Sequence, residues 1–130
     1  MTFDAIGIAG SALTVHRKWL DAISDNIANV NTATSTADAA FRERYVIARA
    51  NEEYGGVNVA GTALGNAEGR LAYDPANPLA DEDGMVRMPD IDLSQQMSNL
   101  IMAQRGYEAN AAVVDRAKST YEAALQIGRS

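Results

Sequence analysis

The stretch that decides the fold is the last third of the chain, Leu93–Ile127, which reads LSQQMSNLIMAQRGYEANAAVVDRAKSTYEAALQI without a proline. Large residues recur every seven positions at Leu93, Leu100, Tyr107, Val114 and Tyr121. A second set follows each by four, at Met97, Gln104, Ala111, Lys118 and Leu125. Two such sets form one stripe along a helix at near-heptad spacing. Asp92 suits an N-cap with Gln95 as its capping-box partner, and Gly128 suits a C-terminal stop. About 36 residues at ~1.5 Å rise make a rod on the order of 55 Å. So long a helix needs a long partner.

The other end of the chain supplies one. Ile6, Leu13, Leu20 and Ile27 are seven apart, and Ala9, His16, Ile23 and Val30 follow each by three, giving an a/d stripe over residues 4–30. Gly7 and Gly10 weaken its first turns. The helix runs into Ser24-Asp25-Asn26-Ile27-Ala28-Asn29-Val30-Asn31-Thr32, where asparagines compete for backbone hydrogen bonds. By residue chemistry alone this reads as a helix end and a turn, with Asn29 and Asn31 holding it.

Between the helical patterns the chain changes character. Thr32–Ala40, TATSTADAA, reads as a flexible connector. Residues 41–49, 57–60, 70–73 and 85–88 read as short strands, residues 61–69 as a glycine-rich loop, and residues 74–78 and 81–84 as turns. Pro89 stops the chain before the last helix. The expected fold is mainly α: two long terminal helices pairing as an antiparallel coiled-coil-like hairpin (residues 1–31 and 92–130), with a small β-rich or irregular insert between them (residues 32–91).

Composition narrows the function. Net charge is −6, and residues 1–31, 32–91 and 92–130 carry −1, −5 and 0 of it. Near-neutral ends can pack against copies of themselves, and the acidic middle suits a solvated outer face. Clustered Lys and Arg, which nucleic acid demands, are missing. Val, Ile, Leu and Phe make up about a fifth of the chain, so the core is expected to be thin and to borrow area from neighbouring molecules. No apolar run approaches the ~20 residues of a membrane span. The N-terminal MTFDAIGIAGSALTV lacks the basic leader of a cleaved signal peptide, so export would need another route.

Catalytic chemistry is hard to build here. The chain has no cysteine and one histidine, His16, on a helical stripe where it faces a neighbouring helix. That nearly excludes common zinc sites and Ser-His-Asp triads. Asp74, Asp81, Glu82 and Asp83 lack the spacing of a calcium loop, and no phosphate-binding glycine loop stands between strand and helix. Tyr107 and Tyr121 read as seam residues rather than cofactor contacts. No cofactor, metal or catalytic residue is expected. The candidate functional residues are therefore packing ones: Ile6, Leu13, Leu20, Ile23, Ile27, Leu93, Met97, Leu100, Tyr107, Val114, Tyr121 and Leu125.

The series Leu20-Asp21-x-Ile23-Ser24-Asp25-Asn26-Ile27-Ala28-Asn29-x-Asn31-Thr32 resembles the signature L-x-x-I-S-N-N-I-A-N-x-N-T of bacterial flagellar axial proteins, the rod, hook and hook-associated subunits. Gln104-Arg105-Gly106-Tyr107-Glu108-Ala109-Asn110 is similar to the family's R-x-Y-x-A-N. Tyr73-Asp74-Pro75, Pro78, Asp81, Gly84, Met88-Pro89 and the ending Leu125–Arg129 resemble a rod subunit in particular. The chain departs from the pattern at Asp25, where asparagine is usual, and at Gly106, where a larger residue is usual. It also lacks the Pro-Gly-aromatic turn after the first motif.

The resemblance implies a structural subunit of the proximal rod, assembling helically through its terminal helices and transmitting torque from the basal-body ring to the hook. It implies export without a cleaved signal through the flagellar type III apparatus into the periplasm. The partners it implies are copies of the same chain and other rod subunits of the FlgB, FlgF, FlgG and FliE types, with no nucleic acid and no direct membrane span. The motif residues it carries over are Ser24, Asn26, Ile27, Ala28, Asn29, Asn31, Thr32, Arg105, Tyr107, Ala109 and Asn110. From the residues alone, a self-contained helical-hairpin adaptor is the rival reading, and a small metal-dependent or acid-base enzyme a distant third.

Overall fold

The computed structural model describes residues 2–129. In chain order its elements are α1 (Thr2–Asn29), β1 (Arg44–Ala50), β2 (Val57–Leu64), β3 (Arg70–Tyr73), β4 (Met85–Met88) and α2 (Leu93–Gly128). The helices hold 28 and 36 residues, about half the chain, so the protein is mainly α with a short-stranded insert, as the periodicity implies.

Both helices end where side-chain chemistry ends them. Asn29 Nδ2 donates back to the Asp25 carbonyl at 2.8 Å, and the Thr32 hydroxyl donates to Asn29 Oδ1 at 3.2 Å. The Asn31 side chain is exposed, so Asn29 holds the turn. Asp92 caps α2, its Oδ1 accepting from the backbone N–H groups of Ser94 at 2.9 Å and Gln95 at 3.2 Å. The capping box does not form. The Gln95 amide donates instead to Asn99 Oδ1 one turn further on, at 3.0 Å, a neighbour on the same helix face.

The insert makes two two-stranded sheets, β1–β2 and β3–β4. β1 and β2 form a hairpin closed by Asn51 N–H to the Gly56 carbonyl at 3.0 Å. β3 and β4 pair antiparallel, Arg70 opposite Met88 and Tyr73 opposite Met85. Two sequence expectations are corrected here. β2 runs on to Leu64, because Gly61 takes an extended backbone (φ 159°) instead of turning. The segment 32–40 is not a flexible connector. Thr34 pairs with Arg87 in both directions at 2.8 and 2.9 Å, and the Arg87 guanidinium donates to the carbonyls of Thr36, at 2.8 Å, and Glu68. Small polar residues let that strip lie close to β4, where its carbonyls serve an arginine; composition alone reads the same residues as loop.

The chain divides into two compact units. One comprises the stretch up to Leu20, Val46–Gly61 and the stretch from Ile101 on; its buried apolar side chains are Ala9, Val15 and Ala103. The other comprises Asp21–Tyr45 and Thr62–Leu100, and buries Ala22, Ile23, Ala40, Val86, Pro89 and Ile91. Gly69 closes a corner of this second unit. Its φ of +59° is left-handed, and a Cβ there would stand 2.1 Å from the Met88 carbonyl oxygen.

Candidate functional site

Two of the least exposed side chains are amides, Asn26 and Gln96, each at 1% exposure. Asn26 lies in the motif stretch of α1 and points inward. Its Oδ1 accepts the Arg44 N–H at 2.8 Å and its Nδ2 donates to the Arg44 carbonyl at 3.0 Å, so the side chain pairs with one residue of β1 as another strand would. Nδ2 also donates to Gln96 Oε1 at 3.1 Å. Gln96 Nε2 in turn donates to Glu43 Oε1 at 2.5 Å, and the Tyr45 hydroxyl donates to Glu43 Oε2.

One connected network thus ties α1, the start of β1 and the first turn of α2 inside a single compact unit. Among the described residues no buried side-chain nitrogen or oxygen lacks a partner, which is the condition for such a network to stabilise and not cost. The Glu43 carboxylate beside Tyr45, with some burial, pushes that phenol up to about 12. Asp25 pairs with the Arg44 guanidinium in a half-exposed ion pair, worth about 0–1 kcal/mol; Arg44 also stacks 5.4 Å above the Phe41 ring.

The sequence-derived residues fall into two groups. On α1, Ile23 is buried and Ile6, Leu13, Leu20 and Ile27 are half-buried. On α2, Leu100 and Val114 are half-buried, while Leu93, Met97, Tyr107, Tyr121 and Leu125 are exposed. The less exposed positions of α2 are Gln96, Asn99, Leu100, Ala103, Gly106, Asn110, Ala111, Val114 and Ala117, in which small and amide-bearing residues outnumber the two large apolar ones. Of the motif residues, Asn26 is in the network. Asn29 ends α1, and Asn110 back-bonds to the Gly106 carbonyl at 2.8 Å. Ser24, Ala28, Asn31, Thr32, Arg105 and Ala109 are exposed. Gln96 and Glu43 escaped the sequence reading. Gln96 was legible only as the polar neighbour of Met97; its three-residue spacing to Asn99 and seven-residue spacing to Ala103 were the available signal.

The last three turns of α2 are exposed. Every described side chain from residue 118 to 129 is exposed, Tyr121, Leu125 and Ile127 included. In the same unit, Val15, His16, Trp19, Val46, Ala48 and Val57 line an open apolar groove of about 380 Å³. No group of three or more His, Cys, Asp or Glu residues poised for a metal occurs among the described residues, and no helix is long and apolar enough to cross a membrane.

Two family models match the ends of the chain: "Flagella basal body rod protein" over residues 6–33, and "Flagellar basal body rod FlgEFG protein C-terminal" over residues 82–127. Asn26 and Gln96 each lie inside a matched stretch. The chain is 38% identical over 126 residues to the flagellar basal-body rod protein FlgC of Yersinia enterocolitica, covering 94% of both. It is 36% identical to that of Salmonella typhimurium over the same share, and 34% identical to that of Borreliella burgdorferi over 96% of both chains. With both helices matched in order and the insert spanned as well, the chain belongs to the FlgC family of flagellar basal-body rod proteins.

Proposed function

We propose that the chain is a structural subunit of the flagellar proximal rod that assembles helically through α1 and α2 and carries torque from the basal-body ring to the hook. Membership in a structural rod family supports the coarse role. The observation that carries the finer reading is the exposed apolar end of α2, where Leu125 is half exposed and Tyr121 and Ile127 also reach the surface. Isolated apolar residues on a surface are ordinary, but a long helix that ends in an exposed apolar stretch gains stability when neighbours bury it.

Antiparallel pairing of the helices is supported by two contacts. Asn26 meets Gln96 in one compact unit and His16 meets Gly106 in the other. The neighbours would be further copies and rod subunits of the FlgB, FlgF, FlgG and FliE types, reached after type III export. The basal body is the place of action.

Leu125→Asp tests the reading. The residue is exposed, so the variant should keep the stability of the free chain within about 0.5 kcal/mol. A charge buried between subunits should nevertheless abolish swimming at normal protein level. A fully motile strain would sink the proposal and favour a self-contained helical-hairpin adaptor.

A further inference from the structure

The front of α1 is weak by composition and is held from outside. Gly7 and Gly10 lie in its first turns, where each costs helix stability relative to alanine. A Cβ at either would meet nothing within 4 Å, so neither glycine serves a close contact. The tip of the β1–β2 hairpin holds this segment. The Ser11 hydroxyl donates to the Ile8 carbonyl at 2.7 Å and accepts the Val57 N–H at 3.1 Å. A Cβ on Gly56 would collide with Ser11 Oγ and stand 3.4 Å from Ile8 Cα. The turn before it is fixed by Asn51, whose Oδ1 accepts the N–H groups of Glu53 and Tyr54, each at 3.1 Å. Behind the tip the contact is loose, because the open apolar groove lies between Val15, His16 and Trp19 of α1 and Val46, Ala48 and Val57 of the hairpin.

We propose that the β1–β2 hairpin is a strap whose tip clasps α1 at Ile8 and Ser11, and that its release frees the front of the helix while the rear stays in place. The two ends of α1 are held by different devices. The rear is tied through the buried Asn26 amide, bonded to Arg44 and Gln96. The front has the bond from Val57 to Ser11 and the close approach at Gly56, in a compact unit whose buried apolar side chains are Ala9, Val15 and Ala103. So small a buried set, beneath a helix start diluted by two glycines, makes local opening cheaper than unfolding of the rest. The Val57 N–H reports directly on whether the clasp is closed. The strap is a property of the single chain and does not depend on assembly into a rod.

Amide hydrogen exchange on the free full chain tests this, in the unsubstituted protein and in Ser11→Ala and Gly10→Ala. In the unsubstituted chain Val57 and Ala9–Val15 should exchange through one shared opening, faster than Ala22–Asn26. By helix propensity alone Ser11→Ala strengthens α1 and should slow exchange at its front. The strap demands the reverse. With its acceptor gone, Val57 should exchange about three- to tenfold faster, and Ala9–Val15 with it, while Ala22–Asn26 keep their rates. Gly10→Ala adds a methyl that touches nothing, so it should slow the front amides about fourfold. Val57 should slow with them, because strap and helix front open together. Front amides that are unchanged or slower in Ser11→Ala would overturn the proposal. So would a Gly10→Ala chain in which the helix slows and Val57 does not. Protection lost at Ala22–Asn26 as well in Ser11→Ala would show α1 opening as one piece, and would overturn it equally.

Discussion

Removing the Asn26 side chain leaves the Arg44 N–H, the Arg44 carbonyl and Gln96 Oε1 without their partner at once. Because the site is buried, the loss is set by desolvation and exceeds the 0.5–1.5 kcal/mol typical of one exposed bond. Asn26→Ala should cost about 2–4 kcal/mol in urea unfolding. Asn26→Asp keeps the acceptor for Arg44 N–H but sets a second oxygen against two other oxygens, so it should lose at least as much at neutral pH. The motif had drawn attention to Asn26, yet a mid-helix asparagine reads equally as a turn former, and only the third dimension shows its amide aimed at a strand. Gln96 was less legible still, since a buried glutamine carries no sign in sequence beyond its position in a helical period.

At the level of elements, the loop before β4 is organised by one carboxylate. Asp81 Oδ1 accepts from the N–H of Met85 at 2.9 Å and of Asp83 at 3.0 Å, and Oδ2 accepts from Thr36 at 3.0 Å. The Met85 N–H above all, with the Thr36 hydroxyl and the Asp83 N–H, holds its carboxyl below its ordinary 3.8 against the opposing effect of desolvation. A depressed folded-state value means stability that is complete above the unfolded value and is lost as pH falls through the folded one. Unfolding midpoints should therefore decline below about pH 4, and Asp81→Asn should flatten that decline.

Gly69 governs the neighbouring corner. With its positive φ and the Met88 carbonyl in the way, Gly69→Ala should cost about 2–3 kcal/mol by the same unfolding measurement. Helix limits and the positions of β3 and β4 were legible because capping residues and alternation are local signals. The inward face of α2 was only partly legible, because beside Leu100 and Val114 it is carried by alanine, glycine and amides, while Leu93, Met97, Tyr107, Tyr121 and Leu125 stand outside.

For the molecule as a whole, burial is uneven enough to be read by hydrogen exchange. Amides of Ala22–Asn26 and Gln96–Leu100 should exchange slowly in the free chain, and those of residues 118–128 quickly. Assembly should slow the second set; equal, strong protection along all of α2 in the dilute chain would contradict this. The Asn26–Gln96 bond also has a temporal side. Its partners are 70 residues apart, so a chain emerging N-terminus first from any narrow exit carries Asn26 outside long before its acceptor arrives. Until position 96 is free, α1 cannot complete its buried amide and has little reason to settle. In any such passage the late arrival of Gln96 would time the settling of the leading segment, and a chain truncated before Gln96 should show α1 unprotected.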